Sequence, residues 1–221
     1  MNVVVLGPPG AGKGTQAVRL AEAFGLQHLS SGDVLRAERQ SGTELGGRVA
    51  RYMDSGALVP DEIIVEVILV RVLKPTRPAG VLLDGFPRTL AQAEALDAAL
   101  ARADKRVDLV VSLVVADELI VDRITGRRVC PTCGAVYHVK SLPPRKAGVC
   151  DKDGAVLVHR TDDTAAVVKE RLAAYQAQTR PLEVYYRNKG LVVEVDGTSE
   201  VDTVFGRAKK EISARLGEAR A

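Results

Sequence analysis

Tryptophan is absent from this 221-residue chain, and the aromatic share is only 4%. A surface that reads nucleic acid by stacking bases on aromatic rings is therefore not expected. The formal net charge is only +3, which argues against a long polyanion as the main partner. No apolar run approaches the about 18 residues of a membrane-spanning helix, so we expect no membrane partner.

Cysteine is also scarce: there are three, an odd number that excludes a complete set of disulfides within the chain. Met1 and Asn2 lead directly into a short apolar run, without the basic segment and long apolar segment of a secretion signal. We therefore expect a cytoplasmic protein, in which clustered thiols indicate a metal site before they indicate disulfides.

Apolar patterns predict alternating strands and helices. Short buried-strand patterns occupy residues 2–6, 81–83, 107–115 and 191–195. Helical spacing occupies residues 13–24, 61–74, 89–102, 117–125, 163–188 and 201–216. The alternation predicts an α/β fold with a parallel sheet covered on both faces. Residues 30–59, polar, helical and without a strand, and residues 126–163, which hold all the cysteines, predict two insertions at the sheet edge.

The first strand pattern runs into GPPGAGKGT at residues 7–15, and a helical pattern follows. Glycines let backbone N–H groups turn toward a phosphate, the helix N-terminus adds partial positive charge, and Lys13 supplies a cation. Gly14 stands where the general motif has the Mg²⁺-binding hydroxyl, and Thr15 follows. We therefore expect the nucleotide and water to hold Mg²⁺, with Asp84 as the outer carboxylate.

Several arginines lie where a second phosphate compound can be clamped, because the guanidinium is permanently charged and binds oxygens in pairs. They are Arg36, Arg88, Arg123, Arg127, Arg160 and Arg171. Arg123 and Arg127 are four residues apart and share one face if the helix continues. Around a phosphate-binding loop, these residues predict phosphoryl transfer between two phosphorylated compounds.

Six segments together resemble the adenylate kinases of the long-lid bacterial type. They are GPPGAGKGT (7–15), SSGDVLR (30–36), LDGFPRT (83–89), DRITGRR (122–128), HRTDD (159–163) and VDGT (195–198). The resemblance covers essentially the whole chain and implies a three-layer α/β/α fold with a five-stranded parallel sheet. It implies a core of residues 1–29, 60–125 and 164–221, an AMP-binding insertion (30–59) and a lid (126–163).

The same resemblance implies the Mg²⁺-dependent reaction ATP + AMP ⇌ 2 ADP. ATP would contact Gly10, Ala11, Gly12, Lys13, Gly14, Thr15, Arg127, Val136, Tyr137 and Ser199. AMP would contact Ser31, Arg36, Ala57, Leu58, Val59, Gly85, Phe86, Pro87, Arg88, Gln92, Arg160 and Arg171. Catalysis would rest on Lys13, Arg88, Arg123, Arg160 and Arg171. No feature marks a dimer interface, so we expect a monomer.

The cysteines lie in two similar segments, CPTCG (130–134) and CDKDG (150–154). The spacing C-x₂-C-x₁₆-C-x₂-D is close to that of a zinc ribbon. Cys130, Cys133, Cys150 and Asp153 predict a closed structural Zn²⁺ site, and the resemblance extends to metal-containing lids of this family. His138 or His159 as the fourth ligand, and free thiols without metal, remain alternatives. A redox pair is disfavoured because no helix follows, and a catalytic zinc because four ligands leave no open position.

Three rival functions differ in what they require. A kinase of UMP or CMP would share the motifs and differ in base choice. A zinc-ribbon ATPase that binds nucleic acid fits poorly with the low aromatic content and small net charge. A regulatory GTPase needs an N-K-x-D base reader, and the sequence NKGL at 188–191 lacks the aspartate.

Overall fold

The computed structural model of the chain describes residues 1–55 and 59–218. Its strands are β1 (Asn2–Leu6), β2 (Gln27–Ser30), β3 (Val81–Asp84), β4 (Leu109–Val114), β5 (Arg127–Val129), β6 (Val136–His138) and β7 (Val192–Asp196). Five of them form a parallel sheet in the order β2-β3-β1-β4-β7, and β5 and β6 pair antiparallel. This confirms the five-stranded parallel α/β fold.

The helices are α1 (Lys13–Ala23), α2 (Ser31–Gln40), α3 (Glu44–Ser55), α4 (Asp61–Leu73), α5 (Leu90–Ala101), α6 (Asp117–Thr125), α7 (Ala165–Ala174), α8 (Pro181–Asn188) and α9 (Val201–Glu218), with a π-helical turn, Tyr175–Thr179, between α7 and α8. In the described part of the chain, no helix combines the length and apolar character needed to cross a bilayer.

Each face of the sheet has its own apolar core, because successive side chains of a strand point to opposite faces. Val3 and Val5 of β1 pack with residues of α1, α6 and α9. Val4 and Leu6 pack on the other face with residues of α4, α5 and α8. The sheet is thus the middle of three layers, and its strand ends carry the loops of the site.

Strand β2 is absent from the sequence prediction. It has only four residues at the sheet edge, and only Leu29 of them is buried, so it lacks the apolar run by which the other strands were found. The segment 31–55 that follows is helical, as predicted, and forms α2 and α3.

The predicted single helix over residues 163–188 is wrong in detail. Helix α7 begins at Ala165, because the Thr164 side chain accepts the Val167 N–H as the N-cap. The π-helical turn then separates α7 from α8. Helix α6 ends at Thr125, so Arg127 lies in β5 and does not share a helix face with Arg123, as the four-residue spacing would have required.

Candidate active site

The phosphate-binding loop joins β1 to α1. Gly10 and Gly12 have φ angles of 79° and 89°, a region that glycine enters without strain. A Cβ on Gly10 would lie 2.8 Å from Cγ1 of Ile124, so α6 packs directly against the loop. Backbone direction thus requires glycine at both positions, and close packing also requires it at Gly10.

Lys13 is the cation of this loop. Its Nζ donates to the carbonyl oxygens of Gly7 at 2.7 Å and Pro8 at 2.8 Å. Desolvation lowers its pKa to about 7, and the charges of Arg88 and Arg171 add to this, while Asp84 opposes it. The main cause is thus the loss of water around the ammonium, and a bound polyphosphate would supply the negative charge that restores the protonated form.

Asp84 ends β3 beside the start of α1. A Cβ on Gly14 would lie 3.3 Å from the Asp84 Oδ2, and the same oxygen lies 3.6 Å from Nε2 of His28. The missing side chain at Gly14 thus leaves room for the carboxylate at the helix N-terminus. The role of Asp84 toward Mg²⁺ stays a prediction.

The loop after β3 brings together the predicted AMP contacts. Ser31 Oγ donates to the Gly85 carbonyl at 2.5 Å, and Arg88 Nε donates to the same carbonyl at 2.8 Å. Gln92 Oε1 accepts the Arg88 N–H at 2.7 Å, and Gln92 Nε2 donates to Asp61 at 2.6 Å. Asp61, which sequence reasoning missed, therefore fixes the glutamine beside this loop.

A pair of carboxylates, Asp162 and Asp163, contacts Arg127 and Arg171. The Asp163 carboxylate is fully buried and accepts two hydrogen bonds from Arg127, one of them 2.8 Å long from Nε. Arg171 lies 3.2 Å from an Asp162 carboxylate oxygen and 3.5 Å from one of Asp163. The helix predicted over residues 163–188 would have begun at Asp163, but in the structure both aspartates precede α7 and are counter-ions of arginines.

The remaining predicted arginines contact two different parts of the chain. Arg36 pairs with Asp33, and Arg160 lies 4.0 Å from the same carboxylate. Arg123 donates to the carbonyl oxygens of Gly197 at 2.9 Å and Thr198 at 3.3 Å, close to Ser199 in the chain.

Several arginine side chains of the site lie close enough together to affect each other's pKa. Burial lowers the pKa of Arg88 to about 10, with Arg171 as the next cause. Burial likewise lowers the pKa of Arg160 to about 10, assisted by Arg36 and Arg127. These groups remain cationic at neutral pH, and their mutual repulsion favours a bound polyanion.

The cleft lies at the carboxyl ends of β1 and β3, where open parallel sheets bind ligands. Its lining includes Lys13, Arg88, Arg171, Tyr175 and Thr179. Tyr175 and Thr179 come from the π-helical turn and were missed, because no local motif marks them.

Other predicted contacts differ in how they face this cleft. The Tyr137 ring is buried in the lid and its hydroxyl accepts the Asp151 N–H at 2.8 Å, so this side chain is directed to the cysteine cluster. Val59 is buried, and Val136 lies in β6. Ala57 and Leu58 lie outside the described residues.

The lid holds two matching turns. Cys130 N–H donates to the Ala135 carbonyl at 2.9 Å, and Cys150 N–H donates to the Ala155 carbonyl at 2.8 Å. Gly134 and Gly154 N–H groups donate back to Cys130 and Cys150, with φ angles of 72° and 75°. The ligand atoms of Cys130, Cys133, Cys150 and Asp153 all lie within 4.8 Å of one another. This donor set fits a tetrahedral metal.

The histidine alternatives fit less well. His138 Nδ1 accepts the N–H groups of Lys140 at 3.1 Å and Ser141 at 3.0 Å, which leaves Nε2 to donate to the Asp122 carbonyl at 3.1 Å. Both ring nitrogens are therefore occupied. His159 is exposed and is not part of the ligand cluster found among the described residues.

Together, the loop, the cation cluster and the parallel sheet define a P-loop phosphotransferase with a small lid. A family model described as adenylate kinase matches residues 5–191. The adenylate kinase of Archaeoglobus fulgidus is 49% identical over 216 residues, which cover 98% of both chains. That of Clostridium botulinum strain Loch Maree is 50% identical over 206 residues, covering 93% of this chain and 95% of the relative.

An adenylate kinase of Caldicellulosiruptor saccharolyticus is 49% identical over 218 residues, which cover 98% of this chain and 99% of the relative. The chain therefore belongs to the adenylate kinase family and, with that family, to the phosphotransferases that act on ATP and AMP. Members of the family use Mg²⁺ together with ATP.

Proposed function

We propose that the protein transfers the γ-phosphoryl group of ATP to AMP in this cleft. ATP and AMP bind on two separate sides of the cleft, called here the ATP side and the AMP side. The observation that carries this is the convergence of Lys13, Arg88 and Arg171 on one cleft at the strand ends. Three cations around one space suit a reaction that consists of positioning phosphates and stabilising their charge.

The ATP side is the phosphate-binding loop together with the lid. The N–H groups of residues 10–15 and the Lys13 ammonium receive the β- and γ-phosphates. Arg127 of β5 and Arg123 at the end of α6 are the further cations that we assign to this side. Mg²⁺, when bound with ATP, neutralises phosphate charge, and Asp84 is the carboxylate that can orient its water ligands.

The AMP side is the loop after β3 together with α2. Arg88 provides a two-pronged cation for the AMP phosphate, Gln92 lies beside it, and Arg36 approaches from the insertion. Arg160 lies close to Asp33 of α2, so the C-terminal end of the lid approaches the AMP-binding insertion. Closure of the two insertions would exclude the water that competes as phosphoryl acceptor.

A coupled assay of ADP formation from ATP with AMP, GMP, CMP or UMP tests this proposal. We expect activity with AMP well above that with the other monophosphates. Lys13→Met should reduce turnover by about 10²-fold or more while the circular dichroism spectrum is retained. Arg19→Met is a matched control, because Arg19 pairs with Asp202 on the surface of α1. Equal rates in wild type and Lys13→Met would refute the assignment.

We further propose that Cys130, Cys133, Cys150 and Asp153 hold a structural Zn²⁺ in the lid. Around these ligands, the lid has a small buried apolar cluster that consists of Cys130, Tyr137, Cys150 and Leu157. A core of this size is too small to stabilise the lid alone. Three thiolates and one carboxylate supply the charge and geometry that Zn²⁺ prefers, and leave no open position for catalysis.

Metal analysis and chelation test the zinc proposal. We expect one equivalent of zinc in the purified protein and a lower melting temperature after chelation, with recovery on adding Zn²⁺. Cys133→Ser should reproduce the loss, and Ser141→Ala in the same lid should not. An unchanged melting temperature together with no stoichiometric metal would contradict the site. A monomeric state remains a sequence-based proposal, to be measured by light scattering.

A further inference from the structure

The π-helical turn, Tyr175–Thr179, reaches into the cleft between two of its cations. Arg180 N–H donates to the Tyr175 carbonyl at 2.9 Å, the wide hydrogen bond that defines such a turn. Tyr175 and Thr179 both line the cleft beside Arg88 and Arg171. Turns of this kind insert one extra residue into a helix and frequently occur at functional sites.

The Tyr175 hydroxyl is tied to the sheet through a single carboxylate. It donates to Glu183 Oε1 of α8 at 3.0 Å, and Ser112 Oγ of β4 donates to the same oxygen at 3.2 Å. Ser112 is buried and is paired in register with Leu6, the residue that precedes the phosphate-binding loop. The bridge Tyr175–Glu183–Ser112 thus joins the cleft wall to the strand next to that loop.

This bridge bears on the position of the arginines. Arg171 lies four residues before Tyr175, so both side chains lie on the same side of the helix and reach one cleft. At the other end of the turn, Thr179 Oγ1 donates to the Arg88 carbonyl at 2.8 Å. Rotation of the π-helical turn would therefore displace Arg171 and loosen the Arg88 loop together.

We propose that Tyr175 is a positioning residue for phosphoryl transfer, and that the Tyr175–Glu183–Ser112 bridge fixes the orientation of Arg171 and Arg88 at the AMP side. The inference rests on the proposed division of the cleft between ATP and AMP. The hydroxyl remains a donor at neutral pH, because burial and the Glu183 carboxylate raise the pKa of Tyr175. The ring itself is 9% exposed and gives the turn its apolar anchor.

Steady-state kinetics of Tyr175→Phe and Glu183→Ala tests the bridge. We expect the KM for AMP to rise by about five- to tenfold in each variant, with the KM for ATP changed by less than about twofold. The double variant should lose no more than either single variant, because both remove the same bridge. Glu183→Gln retains an acceptor oxygen and should restore most of the affinity for AMP.

Tyr185→Phe is the matched control. Its hydroxyl donates to Asp97 at 2.8 Å on α5, and Tyr185 is absent from the lining of the cleft. We expect unchanged KM values for both nucleotides in this variant. Melting temperatures measured in parallel separate a change in stability from a change in positioning.

The outcomes separate this inference from the proposed function. If the wild type transfers phosphoryl groups to AMP and Tyr175→Phe keeps the wild-type KM for AMP, the positioning role is overturned while the function stands. Equal rises for ATP and AMP, or additive losses in the double variant, also overturn it. If the wild type makes no ADP from ATP and AMP, the proposed function itself fails.

Discussion

The buried carboxylate of Asp163 offers the most direct test of what joins the lid to the core. Asp163 is the last residue of the lid segment and its side chain is 0% exposed, and it accepts two hydrogen bonds from Arg127 of β5, whose side chain is 19% exposed. Arg171 lies 3.5 Å from the same carboxylate. Asp163→Asn preserves the volume of the side chain and removes its charge, so two arginines lose their shared counter-ion.

The expected cost follows from the burial of the pair. Removing one partner of a buried ion pair costs about 3–5 kcal/mol, because a charge is left without compensation. Arg127 retains some access to water, so we expect the lower end, about 3 kcal/mol. In a chain of this size each kcal/mol lowers the melting temperature by about 2–4 °C, so a fall of about 6–12 °C is expected.

Urea titration followed by circular dichroism and a thermal melt measure this change. The matched control is Asp202→Asn, which breaks the surface pair between Asp202, 89% exposed, and Arg19. That exposed pair should contribute about 0–1 kcal/mol. If Asp163→Asn loses no more stability than Asp202→Asn, the reasoning that Asp163 is a buried counter-ion is refuted.

Two further predictions concern Lys13 of the phosphate-binding loop and Gly126, the first residue of the lid. A bound polyphosphate should return Lys13 from a pKa of about 7 toward its ordinary 10.5, so binding of ATP at pH 8 should take up protons, measurable by calorimetry in buffers of different ionisation enthalpy. No uptake, or the same uptake in Lys13→Met, would contradict this. Gly126→Ala would place a Cβ 2.1 Å from His138 Nε2 and should cost about 1–3 kcal/mol. Gly47→Ala in α3 is the control, because a Cβ on Gly47 would meet no atom within 4 Å, and it should be neutral or stabilising. Equal melting temperatures for the two variants would refute the close contact between Gly126 and His138.

Much of the architecture could be predicted because its signals are local. The strands β1, β3 and β4 are runs of apolar residues buried on both faces, and β7 buries Val193 and Val195. The phosphate-binding loop is marked by glycines and one lysine in fixed spacing. The two segments of the cysteine cluster are also recognisable in the sequence, because both have the residue pattern of the same turn. In these cases the residues that determine the structure lie within one window of sequence.

The features that the sequence did not predict have contacts that no single window of sequence contains. Strand β2 is defined by its pairing with β3, and its own four residues carry no buried run. The ion pair of Asp163 was not predicted, because its partner, Arg127, lies 36 residues away in the chain. Tyr175 of the π-helical turn donates to Glu183, which also accepts from Ser112 of a distant strand, and apolar periodicity, which predicted one continuous helix, carries no signal for these contacts.

The cations of the cleft fall into two groups according to the protein oxygen that each one contacts. Lys13, Arg88 and Arg123 donate to backbone carbonyls, which carry no net charge. Arg127 and Arg171 contact carboxylates, which cancel their charge at the site. A phosphate would therefore displace no hydrogen-bonded carboxylate from the first group, whereas at the second it would compete with Asp163 and Asp162.

This difference gives Asp163→Asn a second, opposite consequence. The neutral amide would compete less with phosphate for Arg127, so the KM for ATP measured well below the melting temperature should not rise, although the fold is less stable. Loss of a purely supporting contact would instead weaken both together. A KM for ATP that rises in parallel with the loss of stability would show that Asp163 orders Arg127 for the nucleotide rather than competing with it.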